Sequence, residues 1–450
     1  MVSIPRSSYH SGPDSPADRN AAAVPAHRRN DNIYFDNGIL LHTRGKGKEA
    51  GKDKAFQIGI KMMIGIVGAP NKGKSTLFSA LTMHEVQIAN YPFTTIKPNM
   101  GVAYAIKECA EKKIGTKCKP RNSLCHNGMR MIPVNMVDVA GLVEDAHEGK
   151  GMGNQFLNDM AAADALMLVV DISGTTDPSG NPCTNCDPYE DIVMVKNELA
   201  EWIAGILGSH MDKLSKVDDG AAALASIFSS LKIDRDTVED IASKCSLSTN
   251  RINWDEYGVW AFSTALLDAT KPVMVIANKA DIGDPSAAIK SLREKSKDEV
   301  VPCSAAIELA LRKAAQKGII DYFQGDKTFN ITAKDITEEQ RRALEYMKKF
   351  IGSMGDNVQY AINKIVFDID KNIVVYPVED ENKFTDHYGN VLPDAVLMKQ
   401  GSTALDLANS IHTDIGKNML YAVDAVTKMR LSKSYVLKDG DIIKIVSAAK

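Results

Sequence analysis

The chain has 450 residues and a formal net charge of −3, enough length for about two to four domains and too little charge bias to draw it as a whole to nucleic acid or an anionic membrane. No apolar run reaches the ~20 residues of a bilayer span and the first thirty residues lack a secretory hydrophobic stretch, so a cytoplasmic protein without a membrane partner is expected. Seven cysteines, odd in number and thinly spread, do not resemble a disulfide framework.

Residues 1–61 are rich in Ser, Pro, His, Arg and Asn and show no sustained period before Ile58. They are expected to be a disordered extension or a mis-assigned start, with Met62 and Met63 standing where the first core strand begins. The apolar run Met63 to Val67 then reads as a buried strand. It leads directly into Gly68-Ala69-Pro70-Asn71-Lys72-Gly73-Lys74-Ser75, a complete P-loop, and Thr76 to Leu81 continue as a helix. Strand, glycine turn and helix in that order place backbone N–H groups and a helix N-terminus around the phosphates of a nucleoside triphosphate. Asn71, Lys72, Gly73, Lys74, Ser75 and Thr76 are therefore candidate phosphate-binding residues. Lys74 is expected to reach the β- and γ-phosphates, and Ser75 to ligate Mg²⁺.

Next come Asn90-Tyr91-Pro92-Phe93-Thr94-Thr95. A threonine that meets Mg²⁺ and the γ-phosphate only in the triphosphate state belongs here, with Thr95 favoured over Thr94, and its loop would be the switch. The strand at 102–106 is expected to pair antiparallel with the strand at 132–137, which puts their connecting loop at the sheet end away from the nucleotide. The second of these strands runs into Asp138-Val139-Ala140-Gly141. There Asp138 would hold the metal through water, and the Gly141 N–H would sense the γ-phosphate. Further apolar runs at 165–170, 272–277 and 300–302 alternate with helical stretches, the pattern of βαβ units and a mostly parallel sheet.

Asn278-Lys279-Ala280-Asp281 closes one of these strands. A carboxylate at Asp281 can accept from N1–H and the exocyclic amine of guanine, and adenine offers neither donor there, which points to GTP. Ser304 and Ala305, within Cys303-Ser304-Ala305-Ala306, would supply backbone N–H groups to the guanine oxygen. Between 171 and 272, Val195, Leu199, Trp202 and Ile206, then Leu224, Ile227, Phe228 and Leu231, recur at helical spacing and mark an inserted helical lobe. Thr337 with Gln340 announces a capping box. Beyond about 370, short strands, the Tyr388-Gly389-Asn390 turn and one helix across 402–411 suggest a small mixed domain. The expected divisions are 62–185 and 271–330 for the nucleotide domain, 186–270 for the insertion, 331–370 for a helical connector and 371–450 for the last domain.

The four motifs in this order resemble the Ras-like GTPases. The fuller segments 68–81, 90–102 and 138–157, together with Glu381 to Pro393 and His412 to Lys417, resemble the Obg-related GTPases of the YchF type, in their archaeal branch, from Met62 to the end. That resemblance implies a P-loop Ras-like α/β G domain with a coiled-coil-like helical insertion, then a ubiquitin-like β-grasp (TGS) domain. It also implies a role linked to the ribosome, RNA or translation, and a monomer that hydrolyses GTP is expected. Other YchF branches depart from Asn-Lys-x-Asp and accept ATP; Asp281 is kept here, so GTP is expected. Lys74, Thr95 and Gly141 are the catalytic candidates, but Leu142 stands where a water-orienting Gln usually follows the Asp-x-x-Gly motif. The resemblance suggests a K⁺ ion held partly by Asn71, the alternative being that Asn71 only stabilises the P-loop turn. His147 reads as an exposed histidine. A nucleotide-gated docking module with negligible turnover and an ATPase stay open as alternatives.

Cys183 and Cys186 have zinc-ligand spacing, and Cys118, Cys125 and His126 form a second group. The expected topology puts the two groups at opposite ends of the sheet with too few ligands each, so free thiols are expected, with a redox-formed Cys118–Cys125 pair as the minor alternative. In the last domain Lys399, Lys417, Lys428, Arg430, Lys433 and Lys438 alternate with acids. RNA binding there rests on the resemblance alone, beside the alternative of a protein-docking module.

Overall fold

The computed structural model describes residues 62–83, 99–121, 123–139, 160–354 and 357–448. The expectations for 1–61, Thr94, Thr95, Gly141, Leu142 and His147 lie outside the described residues.

Strands β1 (Met63–Val67), β2 (Met100–Glu108), β3 (Leu124–His126), β4 (Met129–Asp138), β5 (Ala165–Asp171), β6 (Val273–Asn278) and β7 (Glu299–Pro302) form one sheet. Their spatial order is β2-β4-β1-β5-β6-β7, with β3 added to β4. Strands β4, β1, β5, β6 and β7 run parallel, while β2 and β3 lie antiparallel to β4. Strand β5 is buried at every position, as expected where both sheet faces are covered. Its side chains alternate between two cores. Leu166, Leu168 and Val170 meet the long helix Pro188–Leu214 on one face, and Ala165, Met167 and Val169 share the other with Leu77 and Phe78 of helix Lys74–Thr82 and Ile362 and Val366 of the connector. Each fully buried Leu or Val contributes roughly 1.5–3 kcal/mol.

The parallel register has one consequence for function. Val67, Asp138, Asp171, Asn278 and Pro302 all end their strands at the same edge, where α/β sheets collect ligands.

Four helices join β5 to β6: Pro188–Leu214, Gly220–Ile227, Arg235–Lys244 and Glu256–Thr270. Each begins on an aspartate, Asp187, Asp219, Asp234 or Asp255, whose carboxylate accepts a backbone N–H of the first turn. A coiled-coil-like insertion was implied by the resemblance. The insertion is one 27-residue helix with three shorter partners, because these aspartates restart the chain three times after Leu214, and the apolar faces continue the sheet's own core.

A two-stranded hairpin, β8 (Ile320–Asp321) and β9 (Asn330–Ile331), precedes helix Glu338–Ser353. That helix carries the expected Thr337–Gln340 capping box and packs Leu344, Met347 and Ile351. Helix Val358–Asn363 continues as a wider turn over Lys364–Ile369 and ties itself to β2, where Asn363 accepts the Ile106 N–H and Gln359 donates to the Tyr104 carbonyl.

The last sheet comprises β10 (Asn372–Val378), β11 (Val396–Lys399), β12 (Met419–Asp424), β13 (Arg430–Leu431) and β14 (Ile442–Ser447), in the order β11-β10-β14-β12-β13. The parallel pairing of β10 with β14, the antiparallel neighbours and helix Ala404–Ile411 across one face give the β-grasp form. Its other face, through Val374, Tyr376 and Val378, packs on Cys109, Ala110 and Ile132 at the far end of the first sheet.

Candidate nucleotide site

The P-loop leaves β1 through backbone that suits glycine. Gly68 has φ 147° and Gly73 φ 89°, and a Cβ on Gly73 would stand 2.3 Å from Nδ2 of Asn278. The Asn278 amide is the tie between motifs: it donates to the Lys72 carbonyl (2.8 Å), and its oxygen accepts the Ala305 N–H (2.9 Å). The P-loop, β6 and the 303–306 turn are thus one unit held through a single buried side chain. Ser304 caps its helix by accepting the Ile307 N–H. Ser304 and Ala305 therefore both lie at this edge, but the Ala305 N–H is committed to Asn278.

Lys74 opens the helix and donates to the Ala69 carbonyl at 2.7 Å, inside its own loop. Burial lowers its pKa to about 8, with Asp138 opposing and Lys72 adding to the fall. The ammonium is poorly solvated, which strengthens its attraction for phosphate charge. Ser75 donates its hydroxyl to Asp138, whose pKa burial raises against the pull of that bond and of Lys74. A hydroxyl and a carboxylate oxygen meeting beside the P-loop lysine are the hard donors that Mg²⁺ takes.

Lys72 behaves differently from its neighbours. Its side chain is fully buried and points away from the phosphate cradle into the segment after β5. It donates to the Thr176 carbonyl (2.8 Å) and hydroxyl (3.1 Å) and to the Asp177 carbonyl (2.9 Å), and pairs with Asp191 at 2.9 Å. What Lys72 can offer a phosphate is its backbone. Asn71, at φ 60°, donates its amide to the Gly180 carbonyl at 2.9 Å, so its side chain secures the turn to the same segment.

Lys279 reaches Asp171 at 2.7 Å. Asp171 also accepts Ser173, Thr175 and Thr176 hydroxyls. Burial pushes its carboxyl up, but Lys279 and the three hydroxyls together bring it down to about 2. Asp281 is half-buried; its backbone carbonyl accepts the Tyr346 hydroxyl, and its carboxylate has no hydrogen-bond partner among the described residues.

These features coincide with recorded similarity. The family model described as 50S ribosome-binding GTPase matches residues 63–204, Obg-like GTPase YGR210-like, G4 motif-containing domain matches 276–380, and TGS domain matches 388–447. A GTP-binding protein of Methanocaldococcus jannaschii is 49% identical over 394 residues, 86% of this chain and 100% of its own. The chain belongs to the Obg-related, YchF-type GTPases. The crystal structure of a GTP binding protein from Pyrococcus horikoshii matches with a TM-score of 0.67 at 38% identity, over 86% of this chain and 100% of that one. The Schizosaccharomyces pombe YchF GTPase shares the fold, with a TM-score of 0.53 at 22% identity over 86% and 98%.

Sequence inspection passed over two residues of this YchF-type site, Asp171 and Asp191. Asp171 had a readable signal, a charge closing a seven-residue apolar strand. Asp191 had none, being one acid among several in a helix's first turn.

The cysteines require two corrections. Cys183 and Cys186 are joined in a disulfide rather than free, because the turn folds back as Cys183 and Cys186 donate their N–H groups to Thr175 and Gly174 and bring the sulfurs together. Cys118 and Cys125 do not group with His126, which stacks on Phe323; they meet Cys109 and Glu111.

Proposed function

We propose that the chain binds GTP with Mg²⁺ and hydrolyses it as a switch acting on the ribosome or its RNA. The observation that carries the choice of base is Asp281: it stands in the turn three residues after β6, near the Asn278 tie, and its carboxylate has no protein donor of its own among the described residues, ready for the two N–H donors that guanine presents. Asn278, Lys279, Asp281, Ser304 and Ala305 frame the base. Lys74 and the P-loop backbone hold the phosphates, aided in the triphosphate state by Thr95 and Gly141. Ser75 and Asp138, with Thr95, would hold Mg²⁺, which when bound neutralises phosphate charge. The ribosomal assignment is supported by the description of the family matched at 63–204.

Slow turnover follows from Leu142, an apolar side chain that cannot orient water. The same residue favours a second reading, a docking module gated by nucleotide with negligible hydrolysis. Calorimetry with GTP and ATP, followed by multiple-turnover assays with and without K⁺ and ribosomes, tests both. GTP binding with stimulated turnover is expected. GTP binding without turnover under every condition would leave the docking module, and tighter ATP binding would overturn the base assignment. Asp281→Asn should weaken GTP by about 100-fold or more, since two charge-assisted bonds are replaced by a mismatched amide.

A further inference from the structure

At the end of the first sheet opposite the nucleotide edge, four ligand atoms converge: the sulfurs of Cys109, Cys118 and Cys125 and a carboxylate oxygen of Glu111, all within 4.8 Å of one another. They come from four places in the chain: the residue after β2, the short helix Glu111–Ile114, the loop that follows it, and β3. Ligands about 2.3 Å from a tetrahedral zinc stand roughly 3.8 Å apart, so a small inward movement would close this group on an ion. We propose that Cys109, Glu111, Cys118 and Cys125 form a structural zinc site that fastens the first domain to the β-grasp domain.

Two further observations support an ion rather than a chance meeting of thiols. Arg130 lies fully buried beside this group, near enough to act electrostatically on both Cys109 and Glu111. Its Nη2 donates to the Leu392 carbonyl, but Nε and Nη1 have no hydrogen-bond partner among the described residues. A buried guanidinium with no carboxylate in direct ion-pair contact among the described residues is costly. Three thiolates and a carboxylate around Zn²⁺ carry a formal charge of about −2, which supplies the missing counter-charge. In addition, Glu111 is already oriented, since one of its oxygens accepts the Cys118 N–H at 2.8 Å, the kind of outer contact that steadies a ligating carboxylate.

The location explains the purpose. The loop bearing Cys118 runs along the β-grasp domain, where the Lys119 N–H donates to Val391, the Arg121 N–H donates to Pro393, and Arg121 pairs with Asp394 at 2.8 Å. Cys118 and Cys125 also pack with Leu392 and Tyr376. An ion at this point ties the interface loop to β2 and β3 behind it. The proposal is independent of the identity of the nucleotide.

The test uses the full chain purified without chelators. Elemental analysis should find zinc at one equivalent per chain, and Cys118 and Cys125, both partly exposed, should react with a thiol reagent only after the metal is stripped. Cobalt added to the stripped, reduced chain should show the intense bands of tetrahedral thiolate coordination. Cys118→Ser should lose those bands, and Glu111→Gln should keep thiolate bands while binding zinc more than about tenfold more weakly. Because Cys118→Ser can fail by misfolding, the wild-type cobalt spectrum is the deciding measurement. Its absence, iron in place of zinc, or a Cys118–Cys125 disulfide that persists under reducing purification would each overturn the proposal.

Discussion

Asp171 and Asp191 lie within one network of side chains and are pushed in opposite directions. Asp171 is stabilised as an anion and held down to about 2, whereas burial raises Asp191 to about 6 despite the adjacent Lys72. The stability that Asp171 contributes is therefore complete above its ordinary value of 3.8 and is lost as the pH falls towards 2. For Asp191 the sign reverses. Its contribution is present below 3.8 and is lost as the pH rises through about 6. Urea unfolding as a function of pH should show Asp171→Asn flattening the acid limb below pH 4 and Asp191→Asn flattening the region between about 4 and 6. Gly73→Ala acts through shape instead. With φ at 89° and Asn278 in the path of the new methyl, it should cost about 1–3 kcal/mol in unfolding free energy and weaken nucleotide binding at the same time.

At the scale of elements, the strap from Asp171 to Asp187 serves as a brace for the P-loop. Lys72 and Asn71 reach into it from one side, and Lys279, just after β6, reaches Asp171. Lys72→Met keeps the length of the side chain but leaves Asp191 buried without its partner. A loss of about 3–5 kcal/mol is expected by chemical denaturation, with a far smaller loss in Lys72→Met/Asp191→Leu, where neither charge remains. If Lys72 instead acted mainly on phosphate, the single variant would lose no more stability than the double variant and would lose nucleotide affinity instead. The elements themselves were mostly readable. The P-loop strand and helix, β2 against β4, the capping box at Thr337 and the strands before Asp138 and Asn278 all stand where pattern and turn chemistry put them. Strand β11 escaped notice because only Val396 and Met398 of its four residues are buried, and β12 because its pattern is broken at Leu420, an exposed leucine.

In the whole molecule the β-grasp domain is joined to the nucleotide domain at the sheet end farthest from the P-loop edge, in part through the loop between β2 and β3. Arg121 is the polar centre of that junction, pairing with Asp394 and lying 3.8 Å from Asp386. Arg121→Ala leaves Asp394 without this partner and should cost about 1–3 kcal/mol, with hydrogen exchange quickening at 116–121 and 391–394 and not at the P-loop. Exchange quickening equally across both domains would show that the junction is not a local clasp.

By itself the sequence determined the GTPase family and its P-loop, because such motifs are short and contiguous and glycine, strand and helix propensities impose their backbone geometry locally. It also determined the two domain types, through hydrophobic period and turn residues. Only the tertiary structure decided which polar side chains of the motifs are committed to the fold. Lys72 sits between Asn71 and Gly73 in the motif and yet belongs to Asp191, more than a hundred residues away. Cys109 and Glu111 join Cys118 and Cys125 for the same reason: strand pairing across β2, β3 and β4 brings together residues whose spacing along the chain carries no common period.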